Sequence, residues 1–175
     1  MIHVIVGPPC CGKSTYVREH AKPDDLIIDY DIIAQALGAK TTHRAEGLIR
    51  KAAFAAREAA ITVALKESWQ ESWLIHSIPS ATQMDLYKSV GAEIVVLDPG
   101  YEVVIARAKK DGRPTNTYDG IQKWYARKTE ILEIANRKKG GTSEAAIMKD
   151  ITNRQIEHLR MFARTGDIGS NSRKW

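Results

Sequence analysis

Residues 7 to 15 constrain this chain's fold more than any others: Gly7-Pro8-Pro9-Cys10-Cys11-Gly12-Lys13-Ser14-Thr15. They follow Ile2 to Val6 (IHVIV), a short apolar run rich in β-branched residues that reads as a buried strand. From Ser14 to Ala21 (STYVREHA) the chain can begin a helix. Strand, turn and helix together give the pattern G-x-x-x-x-G-K-[ST] in the context that pattern requires. The backbone N–H groups of such a loop, and the positive end of the helix behind it, suit a polyphosphate. On this reading Gly7 through Thr15 line a nucleoside triphosphate. Lys13 reaches the outer phosphates and the Ser14 hydroxyl holds Mg²⁺. The motif specifies nucleotide binding and leaves open where the phosphate goes.

A chain of 175 residues, with 43% apolar and 27% charged residues, fits one soluble globular domain with a sizeable core. It contains no apolar stretch of bilayer-spanning length and no signal-peptide pattern before the first strand, so the expected location is the cytoplasm, with no membrane partner. The two cysteines are adjacent inside the phosphate loop, with no disulfide framework or zinc spacing. They read as fillers of variable motif positions; redox sensitivity is the weaker alternative. The net charge of +5 is concentrated between Ile105 and Lys139, where Arg107, Lys109, Lys110, Arg113, Lys123, Arg127 and Lys128 stand among few acids. Such a cluster suits phosphate-rich partners, and serves equally as a solvated helix face.

Along the chain, apolar runs and helical patterns alternate. Leu26 to Asp29 reads as a second strand, Asp31 to Leu37 as a helix, and His43 to Trp69 as a long helical stretch with Leu48, Ala52, Ala55, Ala59 and Val63 as its apolar stripe. Trp73 to Ile78 is a third strand, Ala81 to Val90 a helix, and Glu93 to Asp98 the clearest strand of all. Tyr101 to Lys109 and Tyr118 to Lys138 are helical, joined by a basic loop from Lys110 to Asn116. Alternation of this kind implies a three-layer α/β/α sandwich on a mostly parallel sheet, the P-loop NTPase and kinase architecture, with a helical lid and an extra C-terminal helix. The expected division is a kinase core over 1–139, with its lid at about 107–116, and a C-terminal helix and mobile tail over 140–175. The apolar stripe of that last helix either docks on the core or pairs with a second copy of the chain.

Ligands of parallel sheets gather at the carboxyl ends of the strands, where the phosphate loop, Asp29, Asp31, His76, Ser77 and Asp98 all fall. An ATPase motor needs an apolar strand ending in Asp-Glu, and here the best strand ends in Asp98-Pro99-Gly100. A GTPase needs Asn-Lys-x-Asp, which does not occur. A kinase needs a carboxylate to take the acceptor's proton, and cations to neutralise the transferring phosphoryl group. Asp31 is the candidate general base, and Asp29 the candidate for positioning Mg²⁺, water or substrate. The plain alternative is that the two aspartates only cap the next helix. Arg113, between Gly112 and Pro114, is the first candidate for a lid arginine on the phosphate, and Arg107 the second.

These parts, in this order, resemble the small P-loop kinases, and most closely the kinase domain of phage-type polynucleotide 5′-kinases. The resemblance rests on Val4 to Arg18 (VIVGPPCCGKSTYVR), Ile27 to Leu37 (IIDYDIIAQAL), Val95 to Gly100 (VVLDPG) and Tyr101 to Pro114 (YEVVIARAKKDGRP). The helix containing Trp124 to Lys128 also looks like the family's helix after the lid. By resemblance Asp31 falls where the family keeps its base, and Arg113 where it keeps a lid arginine. Two departures concern the acceptor. Ala34 stands where the family usually has an arginine, and His76 where it tends to have an acid. His76 is either a substrate contact or a polar strand terminus.

The resulting expectation is an ATP- and Mg²⁺-dependent kinase acting on a hydroxyl of a nucleic acid or nucleotide. A kinase of a small metabolite is one alternative. A non-catalytic ATP-binding switch for DNA or protein partners is another.

Overall fold

The computed structural model describes residues 1–41, 43, 45–67 and 70–137. The C-terminal helix and tail expected at 140–175, and the self-association assigned to them, lie outside the described residues. Strands β1 (Ile2–Val6), β2 (Leu26–Ile28), β3 (Ser72–His76) and β4 (Glu93–Val96) form one sheet in the order β2-β3-β1-β4. Every pairing is parallel, and Val6 stands opposite both His76 and Val96. Six helices alternate with them: α1 (Lys13–His20), α2 (Tyr30–Ala36), α3 (Gly47–Lys66), α4 (Ala81–Ser89), α5 (Tyr101–Lys110) and α6 (Thr115–Asn136).

The period-2 alternation of β1 sorts the layers. Ile2, Val4 and Val6 face one side, where Leu74 of β3 and Ile28 of β2 join Ile61 of α3, Met84 and Tyr87 of α4, and Trp124, Ile131 and Ile134 of α6. Ile5 faces the other side and packs with Val17 of α1 and Trp73. A third cluster, built on Val104, Ala108, Ile121 and Cys11, fastens α5 and α6 to the phosphate loop. Both faces of the sheet are thus covered, as an all-parallel sheet requires. Among the described residues no helix is long and apolar enough to cross a membrane.

The strand and helix positions expected from the sequence hold to within a few residues, except that the long helical stretch from His43 shortens to Gly47–Lys66 and α6 begins earlier, at Thr115. One expectation is overturned. The stripe Leu48, Ala52, Ala55, Ala59 and Val63 is not the buried face of α3: Leu48 is 80% and Val63 55% exposed. The buried face carries Ala53, Arg57, Ile61 and Ala64. The reason is Arg57. A charged residue in the core-facing row breaks the apolar periodicity there, and a helix rich in alanine gives too little contrast to restore it. Ile61→Ala is therefore expected to destabilise the fold by about 2–5 kcal/mol. Leu48→Ala and Val63→Ala should stay within about 0.5 kcal/mol of the parent. Urea denaturation of the three variants checks the assignment of the face.

Candidate active site

The phosphate loop is built around a close approach. A side chain at Gly7 would bring a Cβ to 2.3 Å from the Leu97 carbonyl oxygen and 2.7 Å from Cys11 Sγ. Leu97 is held there because its N–H donates to Val6 O at 2.8 Å, extending the β1–β4 pairing past the end of the strand. Gly12 has φ 106°, in the left-handed region that favours glycine, and starts α1 with no side-chain cap. Lys13 then points back into the loop. It is buried, and its Nζ donates to Gly7 O at 2.9 Å and Pro8 O at 2.7 Å, with Cys11 Sγ at 3.6 Å. Burial lowers the Lys13 ammonium pKa from its ordinary value, against smaller opposing effects of Cys11, Cys10 and Asp29.

Ser14 and Asp29 meet across the crevice. Ser14 Oγ donates to Asp29 Oδ2 at 3.1 Å. The other oxygen of Asp29 accepts the Asp31 N–H at 2.9 Å, so this buried carboxylate also caps α2. Hydroxyl and carboxylate are hard oxygen donors, and two such groups suit Mg²⁺, which keeps waters and substrate phosphates for its remaining positions. The residues present therefore fit the ion and the triphosphate that the motif implies.

Asp31 is clamped by a residue the sequence reading passed over. His43 lies between α2 and α3 with φ 65°. Its Nδ1 is 2.5 Å from Asp31 Oδ2, and its backbone N–H donates to Asp31 Oδ1 at 3.2 Å. Burial raises the Asp31 pKa, but the hydrogen bonds from the His43 ring and backbone, with Arg113 behind them, outweigh it and hold the carboxyl below its usual value. Nothing in the sequence marks His43, because the contact depends on how the chain between α2 and α3 turns back.

The two arginines expected in a lid stand on α5 and in the turn after it. Arg107 Nη1 donates to the carbonyl oxygens of Cys10 and Cys11, both at 3.3 Å, and so touches the phosphate loop directly. Arg113, in the turn between α5 and α6, pairs with Asp111 at 3.4 Å. It lies near enough to act on both Asp31 and Cys10. Burial nonetheless pushes the Cys10 thiol above its ordinary pKa, which disfavours the thiolate and weakens the redox alternative. An open cleft of about 410 Å³ separates His43 from the turn Asp111-Gly112-Arg113-Pro114.

At the end of β3, His76 Nδ1 shares a hydrogen bond with the Tyr87 hydroxyl at 2.9 Å. Burial, then the Arg57 and Lys13 cations, pull the His76 imidazole down to about 3. Arg57 is the second residue the sequence reading missed. It is buried on α3, donating to Ile75 O at 3.1 Å and to Glu58 Oε1 at 3.0 Å. Ala34 is 3% exposed, a packing position of α2. Asp98 is not brought into the site: Tyr125 Oη donates to it at 2.7 Å and Lys128 pairs with it at 2.6 Å, tying the end of β4 to α6.

No protein-family model matches the chain, and no curated protein matches it in sequence. Solved structures do. A shikimate kinase from Acinetobacter baumannii, in complex with shikimate, superimposes with a TM-score of 0.51 at 17% identity, over 95% of this chain and 94% of that one. A tunicamycin resistance protein from Deinococcus radiodurans gives 0.43 at 16% identity, over 87% and 94%. The fold is that of the P-loop kinases.

A neutral His76 has a consequence for stability. With a folded-state pKa near 3 against 6.5 for the free side chain, the unfolded chain binds the extra proton first as pH falls. The stabilisation is therefore complete above pH 6.5 and declines below it by about 1.4 kcal/mol per pH unit. His76→Gln should flatten that decline between about pH 6.5 and 5. Denaturant titrations of parent and variant at both pH values measure it, and parallel slopes would exclude a buried neutral imidazole.

Proposed function

We propose that the protein is an ATP-dependent phosphotransferase that moves the γ-phosphoryl group to an acceptor hydroxyl. The observation supporting this reading is the link from Ser14 Oγ through the Asp29 carboxylate to the Asp31 N–H, which ties the start of α2, where the proposed base stands, to the phosphate loop. A nucleotide-binding switch has no use for that base. Lys13 and the loop amides hold the triphosphate, and Ser14 and Asp29 hold Mg²⁺. When bound there, the ion would supply positive charge to neutralise the phosphates. Arg107 fastens α5 to the loop, and Arg113 supplies charge to the phosphoryl group as it moves. Asp31 carries the acid–base role.

The acceptor expected from the sequence is a nucleic acid or nucleotide, consistent with the basic α5–α6 region. A small metabolite is the second reading, and the burial of Ala34 favours it. An arginine placed there would enter the core rather than the crevice.

The test is transfer from γ-labelled ATP to panels of 5′-hydroxyl DNA and RNA, nucleosides, nucleoside monophosphates and small hydroxylated metabolites. Lys13→Ala and Asp31→Asn should each abolish transfer, with ATP binding retained in Asp31→Asn. Arg113→Ala should lower the transfer rate by about 10³-fold with little change in ATP affinity. Acceptor affinity that falls steeply with salt identifies a nucleic acid, and a flat dependence a small neutral molecule. Tight ATP binding without transfer to any acceptor would leave the switch reading instead.

A further inference from the structure

We infer that Asp31 performs its acid–base role through His43, so that Nε2 of His43 is the atom that takes the acceptor's proton. The inference rests on the phosphotransferase reading and locates its proton. Both Asp31 oxygens are already engaged by residue 43: Oδ2 by the ring at 2.5 Å and Oδ1 by the backbone N–H at 3.2 Å. A carboxylate only accepts hydrogen bonds, so the ring proton sits on Nδ1. That leaves Nε2 as the basic lone pair of the dyad, and among the described residues it has no hydrogen-bond partner. His43 lines an open cleft that Arg113 also lines. The same division of labour, with a carboxylate orienting an imidazole that moves the proton, operates in nucleophilic hydrolases.

The step balances. As the acceptor oxygen forms its bond to the γ-phosphorus, its proton passes to Nε2 and the β–γ bridging P–O bond breaks. The bonding pair leaves with ADP. His43 becomes an imidazolium whose charge Asp31 offsets, and it returns its proton to solvent before the next turnover.

Two measurements test this on the full chain. The first is ¹⁵N NMR of histidine-labelled protein, with His43 assigned by the signal lost in His43→Gln. The expected result is a protonated Nδ1 with a strongly deshielded proton, an unprotonated Nε2, and an upfield move of that proton in Asp31→Asn. The Nε2–H tautomer overturns the inference. The second is chemical rescue of His43→Gly, a substitution that the φ of 65° accommodates. Transfer to the acceptor found in the panel, or to water, should fall by about 10²- to 10⁴-fold without a change in KM for ATP, and imidazole in the buffer should restore part of it. A variant with wild-type rate, or one that imidazole does not rescue, overturns the inference while leaving the phosphotransferase reading intact. A parent protein that transfers to no acceptor, water included, overturns both.

Discussion

The divided carboxylate of Asp29 holds the site together. One oxygen takes the Ser14 hydroxyl from the phosphate loop and the other takes the Asp31 N–H in the first turn of α2. The bond to Ser14 sets the end of β2 against the loop, although β3 lies between β2 and β1 in the sheet. The bond to the Asp31 N–H fixes where α2 begins, and with it where Asp31 points. One carboxylate therefore both caps α2 and ties it to the phosphate loop. A residue that only capped α2 could equally be serine or asparagine. One that also gathers a hydroxyl beside a phosphate loop needs the second oxygen and the charge.

Much of this was legible in the sequence because it is local. The loop announces itself by spacing, the strands by β-branched runs, and Asp29 and Asp31 by their place after a short strand. Two residues of the site were not legible. His43 reaches Asp31 only through the course of the chain after Gly38, and a lone histidine in a polar stretch carries no periodic signal. Arg57 was hidden for the opposite reason. It sits inside a regular helix, but its burial contradicts its residue type, so the apolar count selected the wrong face of α3. Asp98, also at a strand end, is bonded by Tyr125 and Lys128, contacts across the fold that the sequence does not announce.

The electrostatics of the cleft follow from which charges are paired with what. Lys13 is held by carbonyl oxygens rather than by a carboxylate, so its charge is oriented without being cancelled. Arg107 is likewise satisfied by loop carbonyls. Arg113 is opposed by Asp111, but across 3.4 Å and at the mouth of an open cleft, where solvent weakens the pair. The negative groups, by contrast, are committed: Asp29 to Ser14 and a helix N-terminus, and Asp31 to His43. The cations thus gather at the phosphate loop and the α5–α6 turn, and the two committed carboxylates stand at the β2 side.

His76 fits the same balance. A charged imidazole between Lys13 and Arg57 would add a third cation to a buried position, and the neutral form is the one those neighbours and the burial enforce. As a neutral group it shares its hydrogen bond with the Tyr87 hydroxyl. Arg57 in turn is a buried cation whose counter-charge among the described residues is the adjacent Glu58, partly exposed on the same helix, with Ile75 O accepting its other donor.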